Sequence, residues 1–122
     1  MTDKNDTGFW IRNEDRPDAV VVRVGGELDT STAEQLDRHL REVESELTPP
    51  APVLLDLTEI TYLSSAGIAT LVIHTQRCTA LDSRLRVITD KAAILRPITL
   101  SGADDAIDIS PTLDEAVATN PR

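Results

Sequence analysis

The sequence predicts an α/β domain built on a mixed, mostly parallel β-sheet of about five strands, with about four helices packed against it. Three observations lead to this fold class. The chain has 122 residues, the length of a single domain. Short β-branched runs alternate with segments of helical period, without an internal repeat. The crossovers after the first hairpin are short, so the later strands should run parallel to one another.

The clearest predicted strand is the β-branched run AVVVRV of residues 19–24, closed by Gly25 and Gly26. A short edge strand is expected before it, and residues 13–18, which contain Pro17, are typical of a turn. The apolar run VLLDL predicts a buried strand, and residues 58–63 are expected to connect it to the next helix. In chain order, the predicted strands are residues 9–12, 19–24, 53–57, 85–88 and 107–109.

The first helix is well defined, because apolar residues after Asp29 recur at steps of three and four. They are Ala33, Leu36, Leu40, Val43 and Leu47. Ser31 with Glu34 is typical of a capping box at its start, and prolines 49, 50 and 52 end it. Further helices are predicted over residues 65–80, 92–100 and 111–118. Because Pro97 removes a backbone donor, we expect a late start or a kink in the third helix.

The composition excludes several classes of protein. A formal charge of −9 disfavours nucleic-acid binding, because affinity for phosphates depends on Lys and Arg. The single cysteine, Cys78, excludes an internal disulfide and a cysteine-rich zinc site, and it fits a small buried side chain. No apolar run approaches the ~20 residues that cross a bilayer, and no signal sequence opens the chain. We therefore expect a cytoplasmic protein that binds neither nucleic acid nor a membrane.

The negative charge is unevenly distributed along the chain. Residues 27–59 carry a net charge of −7, whereas the segment from Thr61 to Gln76 has no formally charged side chain. We call residues 61–76 the neutral segment. In so acidic a chain, an uncharged segment is either core or a contact surface.

Catalytic and metal-binding patterns are weak. His39 and His74 each stand without a Cys, Asp or Glu at metal-ligand spacing, which favours a surface or helix-flank histidine in both places. No G-x-S-x-G elbow and no phosphate-binding glycine loop occurs. Three aspartates at positions 104, 105 and 108 are more typical of a solvated turn than of a cation site. We expect no enzyme activity, no metal and no cofactor.

The remaining candidate is the segment from Asp56 to Leu71, in which a buried strand delivers the small residues Ser-Ser-Ala-Gly to the start of a helix. On spacing alone, Ser64 or Ser65 is an N-cap that accepts from free backbone N–H groups at the helix start. The same position also exposes a hydroxyl at the positive end of the helix dipole.

At this point the sequence resembles a known family. Four segments, GELD at 26–29, DL at 56–57, YLSSAGI at 62–68 and LSG at 100–102, follow the order and spacing of the STAS domain. The match looks like the bacterial anti-sigma factor antagonist branch. The resemblance implies a STAS domain over residues 9–118, with a flexible tail at residues 1–8 and a second tail at residues 119–122.

The resemblance also implies a phosphorylation switch. In the antagonists the tip usually reads Asp-Ser-[Ser/Thr]-Gly, and the serine after Asp is phosphorylated by the partner anti-sigma factor, a serine kinase. Here that serine is Ser65, while Ser64 replaces the Asp, Ala66 replaces the second hydroxyl, and Gly67 is retained. Ser64 is the alternative acceptor.

By the same resemblance, the unphosphorylated protein binds the anti-sigma factor and releases a sigma factor, and phosphorylation ends the contact. The implied partner-binding residues are the four tip positions 64–67 together with Glu27, Asp29 and Thr30. Asp29 is equally well explained as a cap or turn residue before the first helix.

Two other function classes stay open. One is a STAS subunit of an ABC-type lipid transporter, which is held by the ATPase subunit and needs no phosphorylation. The other is a small enzyme, for which the sequence shows no assembled catalytic group.

Overall fold

The computed structural model describes residues 8–118, and it confirms an α/β domain with a five-stranded mixed sheet and four helices. The strands are β1 (Trp10–Arg16), β2 (Ala19–Leu28), β3 (Val53–Leu63), β4 (Leu85–Ile88) and β5 (Asp108–Ser110). They lie side by side in chain order, and only the β1–β2 pair is antiparallel. The helices are α1 (Thr30–Ser45), α2 (Ser65–Ala80), α3 (Ala92–Leu100) and α4 (Leu113–Ala118), with a short 3₁₀ helix at Ala103–Asp105.

The hairpin β1–β2 is longer than the sequence predicts. Strand β1 continues through Arg16, so the expected turn at residues 13–18 is wrong apart from Pro17 and Asp18. The two strands pair without interruption from Trp10 opposite Gly25 to Arg16 opposite Ala19. Because every residue of β1 gains a partner on β2, the polar sequence from Asn13 to Arg16 is extended despite its low strand propensity.

Strands β2 and β3 also run further than expected. Gly25 and Gly26 do not close β2, and residues 58–63 are the second half of β3 rather than a connection. The two strands pair in parallel as far as Leu28 opposite Leu63, with register shifts around the glycines. The absence of a side chain at Gly25 matters, since a Cβ there would overlap the Trp10 indole that covers it. These extensions bring the ends of β2 and β3 to the same edge of the sheet.

The helices agree with the sequence prediction except at some ends. Helix α2 and helix α3 have the predicted bounds, whereas α4 begins two residues late and β5 is shifted by one residue. Of the two outcomes expected at Pro97, the late start of α3 is wrong, because the helix begins at Ala92, five residues before Pro97; the kink stays a prediction. Pro97 has no N–H to donate to the carbonyl of Ala93, which is an exposed residue.

The hydrophobic core lies on both faces of the sheet. The larger cluster joins one sheet face to α1, α2 and α3 through side chains such as Leu36, Leu71 and Ile94. A smaller cluster lies under α4 on the opposite face, and it contains Ala19, Val21, Leu54, Ile88 and Ala116. Both clusters consist almost entirely of aliphatic side chains, as expected for a chain with three aromatic residues.

Two expectations concern the ends of the chain and membrane binding. The tails expected at residues 1–8 and 119–122 lie outside the described residues, apart from Gly8. Among the helices that are described, none combines the length and the hydropathy needed to cross a bilayer.

Candidate functional site

The candidate site is formed where β2 and β3 end side by side and each is followed directly by a helix. Leu28 and Leu63 are partners at the ends of the two strands, and the backbone N–H of Ser64 donates to the Leu28 carbonyl at 2.9 Å. Helix α1 then begins at Thr30 and α2 begins at Ser65. Residues 27–30 and 64–67 therefore lie together at one edge of the sheet, where the amino ends of two helices are next to each other, and we call these residues the tip.

Ser64 is the N-cap of α2. Its backbone is extended, and its hydroxyl accepts from the backbone N–H of Gly67 at 3.1 Å. This hydrogen bond satisfies one of the free N–H groups in the first turn of the helix. Of the two serines that could cap the helix, Ser64 therefore does so, and its half-buried side chain is engaged in the fold.

Ser65 differs from its neighbour in both exposure and bonding. It is the first residue of α2 and is exposed to solvent. Within residues 8–118, no group hydrogen-bonds its hydroxyl. The first turn of α2 also lacks an acidic side chain, so the positive end of the helix dipole is uncompensated by charge. The Ser65 hydroxyl is thus accessible and lies where an added negative charge is tolerated by the helix.

Gly67 supports the tip from below. It is buried, and a Cβ at this position would lie 2.7 Å from Leu63 Cδ1 and 3.2 Å from Leu28 Cβ. Glycine lets the first turn of α2 approach the ends of β2 and β3 this closely without displacing the Leu63 side chain. Among the predicted partner-binding residues, Gly67 is therefore placed under the surface, while Ala66 is half-buried at its edge.

On the other side of the tip, Asp29 caps α1. Its carboxylate accepts from the Thr32 backbone N–H at 2.9 Å, and its own N–H donates to Thr32 Oγ1 at 2.9 Å. The capping box is therefore Asp29 with Thr32, and the predicted box of Ser31 with Glu34 is wrong because the helix begins two residues earlier. The hydrogen bonds from the Thr32 backbone and side chain lower the pKa of Asp29, so it is ionised at neutral pH.

The exposed residues of the neutral segment form an uncharged surface. Tyr62 is 51% exposed and Ile73 is 44% exposed. Together with three further exposed residues of the neutral segment they line one side of the molecule, and we call this set the neutral face: Tyr62, Ser65, Ala69, Ile73 and Gln76. Glu27, which pairs with Tyr62 across the strands, and Thr30 are also exposed. The neutral segment is thus core on one side and surface on the other.

His74 contradicts the prediction of a surface or helix-flank histidine. Its side chain is 0% exposed, and its two ring nitrogens face carboxylates of α1: Nδ1 lies 2.5 Å from Glu44 Oε2, and Nε2 lies 2.7 Å from Asp37 Oδ1. Sequence spacing missed these partners because they lie more than 29 positions away in the chain. The sequence did contain one indication of a buried carboxylate: Glu44 lies within the apolar stripe of α1, next to Val43.

The remaining predicted features behave as ordinary parts of the fold. His39 is half-buried on the flank of α1, 2.7 Å from Asn13 Oδ1, and burial lowers its pKa. Cys78 is buried as predicted, and burial raises the pKa of its thiol to about 12, which leaves it unreactive. Among residues 8–118, no three His, Cys, Asp or Glu side chains are grouped in a way that could hold a metal ion.

The chain is similar to known proteins in both sequence and fold. The family model of the STAS domain matches residues 11–116. The anti-sigma-F factor antagonist RsfB of Mycobacterium tuberculosis is 27% identical over 103 residues, which cover 84% of this chain and 82% of that protein. A crystal structure of an anti-sigma factor antagonist from Mycobacterium paratuberculosis has a TM-score of 0.83 at 29% identity, covering 94% of this chain and 96% of that one.

The anti-sigma factor antagonist SpoIIAA, a cell fate determinant of Bacillus, is similar in fold. Its unphosphorylated form has a TM-score of 0.72 at 17% identity, with 88% of this chain and 93% of that chain covered. Its phosphorylated form has a TM-score of 0.65 at 18% identity, with 89% and 97% covered.

Proposed function

This chain belongs to the STAS domain family, and from that premise we propose that it is an anti-sigma factor antagonist controlled by phosphorylation at Ser65. In its unphosphorylated form it binds an anti-sigma factor of the serine kinase type, and this binding releases a sigma factor for transcription. Phosphorylation of Ser65 ends the contact. The protein acts in the cytoplasm, by binding rather than by catalysis.

The observation that carries the proposal is the difference between the two serines of the tip. The Ser64 hydroxyl is occupied by the N–H of Gly67, whereas the exposed Ser65 hydroxyl has no hydrogen-bond partner within residues 8–118. A kinase can reach Ser65 without breaking the N-cap. Ser65 is therefore the acceptor, and Ser64 positions the helix on which it lies.

The proposed phosphate acts at the interface rather than on the fold. It adds about −1.5 to −2 charges, and at the start of α2 it meets a favourable dipole worth roughly 0.3–2 kcal/mol. When the same dianion is covered by a partner, facing a carboxylate or an apolar patch, it costs a few kcal/mol at an effective dielectric of about 20. Such a cost weakens binding by about 100-fold or more, which is enough to shift a competition between partners.

The proposed contact surface is the tip together with the neutral face. It takes in Glu27, Asp29 and Thr30 on one side and Ser64, Ser65 and Ala66 on the other, with Gly67 holding them together from below. An interface core is depleted of charge and enriched in aromatic residues, which fits the neutral face and its exposed Tyr62. The acidic side chains around this surface favour a partner that presents basic groups at its rim.

The departure of this tip from the usual pattern has a specific consequence. Ser64 stands where the antagonists usually have Asp, and its hydroxyl performs the capping that a carboxylate would perform. The cap is kept while one negative charge is lost. We propose that the cognate kinase recognises Ser65 without that charge.

The phosphorylation proposal is tested by incubating the protein with its anti-sigma kinase and ATP and locating the phosphate by mass spectrometry. We expect one phosphate on Ser65, none on the Ser65→Ala variant, and retained labelling of the matched Ser64→Ala variant. Labelling of Ser65→Ala to the wild-type level would transfer the acceptor role to Ser64.

The binding proposal is tested by measuring the Kd for the anti-sigma factor. Ser65→Ala should bind within a few-fold of wild type, whereas Ser65→Glu should bind about 100-fold more weakly because it places a charge in the contact. Absence of binding by unphosphorylated wild type to any anti-sigma factor would overturn the proposed function. Co-purification with a transporter ATPase instead would favour the transporter-subunit alternative.

A further inference from the structure

The two edges of the five-stranded sheet differ in how they are protected from pairing with another chain. Strand β5 forms one edge and is three residues long, whereas β1 forms the other edge and is seven residues long. Natural sheets protect their edges with very short strands, prolines, bulges or charged side chains. Strand β1 has no proline and no bulge against β2, so charged side chains are its only protection of this kind. Among residues 8–118, no strand pairs with its outer side.

Every second residue of β1 directs its backbone polar groups away from β2. In an antiparallel pair, residues directly opposite each other alternate between pairs that exchange both hydrogen bonds and pairs that exchange none. The N–H of Val20 donates to the Pro52 carbonyl at 3.0 Å, on the β3 side, so Val20 and its partner Asp15 exchange none. By the same alternation, Ile11, Asn13 and Asp15 present their N–H and C=O groups to the outer edge.

The side chains of β1 alternate between the two faces of the sheet. Two contacts lie on the face away from α1: the Arg12 guanidinium carbon is 4.5 Å from the centre of the Trp10 ring, and Glu14 pairs with Arg16 at 3.0 Å. Asn13 lies on the other face, where its Oδ1 is 2.7 Å from a ring nitrogen of His39 in α1. Neither set of side chains covers the outward backbone groups of the strand.

The order of charges along β1 is complementary to itself. When two identical strands pair antiparallel about a two-fold axis perpendicular to the sheet, the residue on the axis faces its own copy. Asn13 is the middle residue of β1, so an axis there overlaps the two strands along their whole length. The opposed pairs are then Asn13 with Asn13, Arg12 with Glu14, Ile11 with Asp15, and Trp10 with Arg16. Opposite charges face each other at Arg12 and Glu14, and like charges face each other nowhere.

Other symmetric registers are less favourable. An axis at Arg12 places two arginines opposite each other. An axis at Glu14 does the same with two glutamates, and it also sets Arg12 against Arg16. Like charges directly opposite each other destabilise a strand pair, and unlike charges stabilise it. An axis nearer either end of β1 leaves most of the strand unpaired. The charges therefore favour the register about Asn13 instead of protecting the edge in every register.

We propose that β1 is a dimerisation edge, on which a second copy of this chain pairs antiparallel about Asn13 to form one continuous sheet. The pairing gives partners to the outward backbone groups of both copies. Helix α2, which carries the neutral face, packs on α1, β3 and β4, so pairing along β1 leaves that face accessible. The inference goes beyond the proposed function and does not depend on it.

The contact is small, because it is confined to one strand pair. Interfaces at the low end of the size range are weak and transient, so we expect a Kd between about 10 µM and about 1 mM. Sedimentation equilibrium of the full chain over this range should show the mass rising from the 13.3 kDa monomer towards the dimer. At the higher concentrations, the amides of Ile11, Asn13 and Asp15 should exchange with solvent more slowly.

The first variant is Asn13→Pro. Proline removes the N–H on the proposed axis, and an outward-facing position of an edge strand tolerates it because that N–H does not bond β2. The Kd should rise by about 10-fold or more. The matched control is Asn13→Ala, which also loses the side-chain contact with His39 but keeps the N–H, and it should dimerise like the wild type. Circular dichroism verifies the fold of each variant.

The second variant, Arg12→Glu, decides the question even if Asn13→Pro does not fold. Arg12 is exposed, and its replacement sets two carboxylates opposite each other on both sides of the axis, which should also raise the Kd by about 10-fold or more. Arg96→Glu makes the same change of charge at an exposed position of α3 and should leave the Kd unchanged.

A chain that stays monomeric at about 1 mM would refute the inference. So would a dimer whose Kd is the same in wild type and Arg12→Glu, because its contact would then lie on another surface. A dimer that Arg12→Glu and a folded Asn13→Pro both weaken, while Arg96→Glu and Asn13→Ala do not, would support it.

Discussion

The two sides of helix α2 contrast in where their polar and uncharged residues lie, and each side departs from the usual arrangement of a soluble helix at one point. Its outer side, from Ser65 through Ala69 and Ile73 to Gln76, carries no charge although it faces solvent. Its inner side carries His74, which is fully buried against the charged Glu44. A soluble helix ordinarily places charged residues outside and apolar residues inside.

The contrast separates two roles within one helix. An exposed surface without charge has little cost of desolvation, which suits a surface that is covered and uncovered by a partner. A buried charge has a large cost of desolvation, which is tolerated only when every partner stays in place. The outer side is therefore suited to transient contacts, and the inner side to a fixed distance between helices. The predictions below separate these roles.

The largest loss of stability is expected for His74→Leu, which removes the buried histidine from the inner side of α2. Leucine fills much of the ring volume but leaves Glu44 buried with one partner fewer, and breaking a buried charge pair costs about 3–5 kcal/mol. We expect the midpoint of urea denaturation to fall accordingly. His39→Leu, which removes the half-buried histidine beside Asn13, is the matched control and should cost under about 1 kcal/mol. Equal losses for the two variants would mean that the contacts of His74 do not fasten the helices.

An intermediate loss of stability is expected at Gly67, which lies buried in the first turn of α2. A methyl group there meets Leu63 Cδ1 at 2.7 Å and the Leu28 backbone at 3.3 Å, so Gly67→Ala should destabilise the fold by about 1–2 kcal/mol despite the better helix propensity of alanine. Thermal denaturation measures this loss. Ala69→Gly, at an exposed position of the same helix, reports the propensity difference alone. A Gly67→Ala variant that is more stable than wild type would contradict the close approach of α2 to the strand ends.

The smallest effect is expected at the cap. Ser64→Ala removes the acceptor of the Gly67 N–H and should cost about 1 kcal/mol, whereas Ser64→Asp keeps an acceptor and should leave stability within about 0.5 kcal/mol of wild type. Guanidinium denaturation of the two variants side by side resolves this difference. If Ser64→Ala were as stable as Ser64→Asp, the helix would be capped by another group.

The sequence pattern was most informative where local and tertiary requirements agree. The apolar stripe of α1 and the β-branched run of β2 predict elements that exist, because the same side chains that favour the local structure fill the core. It was least informative in β1 and in the second half of β3. The polar residues from Asn13 to Arg16 and the segment from Thr58 to Leu63 are extended because neighbouring strands pair with them, and pairing of this kind is not encoded locally.

The candidate site, too, has features that the sequence predicts and features that it does not. Its position at a strand end followed by a helix start, and the choice between two serines, follow from the order of residues around Ser64 and Ser65. The sequence does not decide which serine caps the helix, because two adjacent serines are equally suitable caps by residue type. The choice depends on the backbone geometry at the helix start. The structure resolves this through one hydrogen bond, from the Gly67 N–H to the Ser64 hydroxyl.

The sequence by itself determined the fold class, the number of strands and helices and the uncharged segment, since these depend on residue periodicity and composition along the chain. The family was implied separately, by the resemblance of four short motifs. Only the tertiary structure decided that Asp29 and Ser64 cap neighbouring helices, that Gly67 lies beneath them, and that His74 is buried between Asp37 and Glu44. These contacts join residues that parallel strand pairing and helix packing bring together from distant parts of the chain. Their energies depend on distance and burial, which no local pattern specifies.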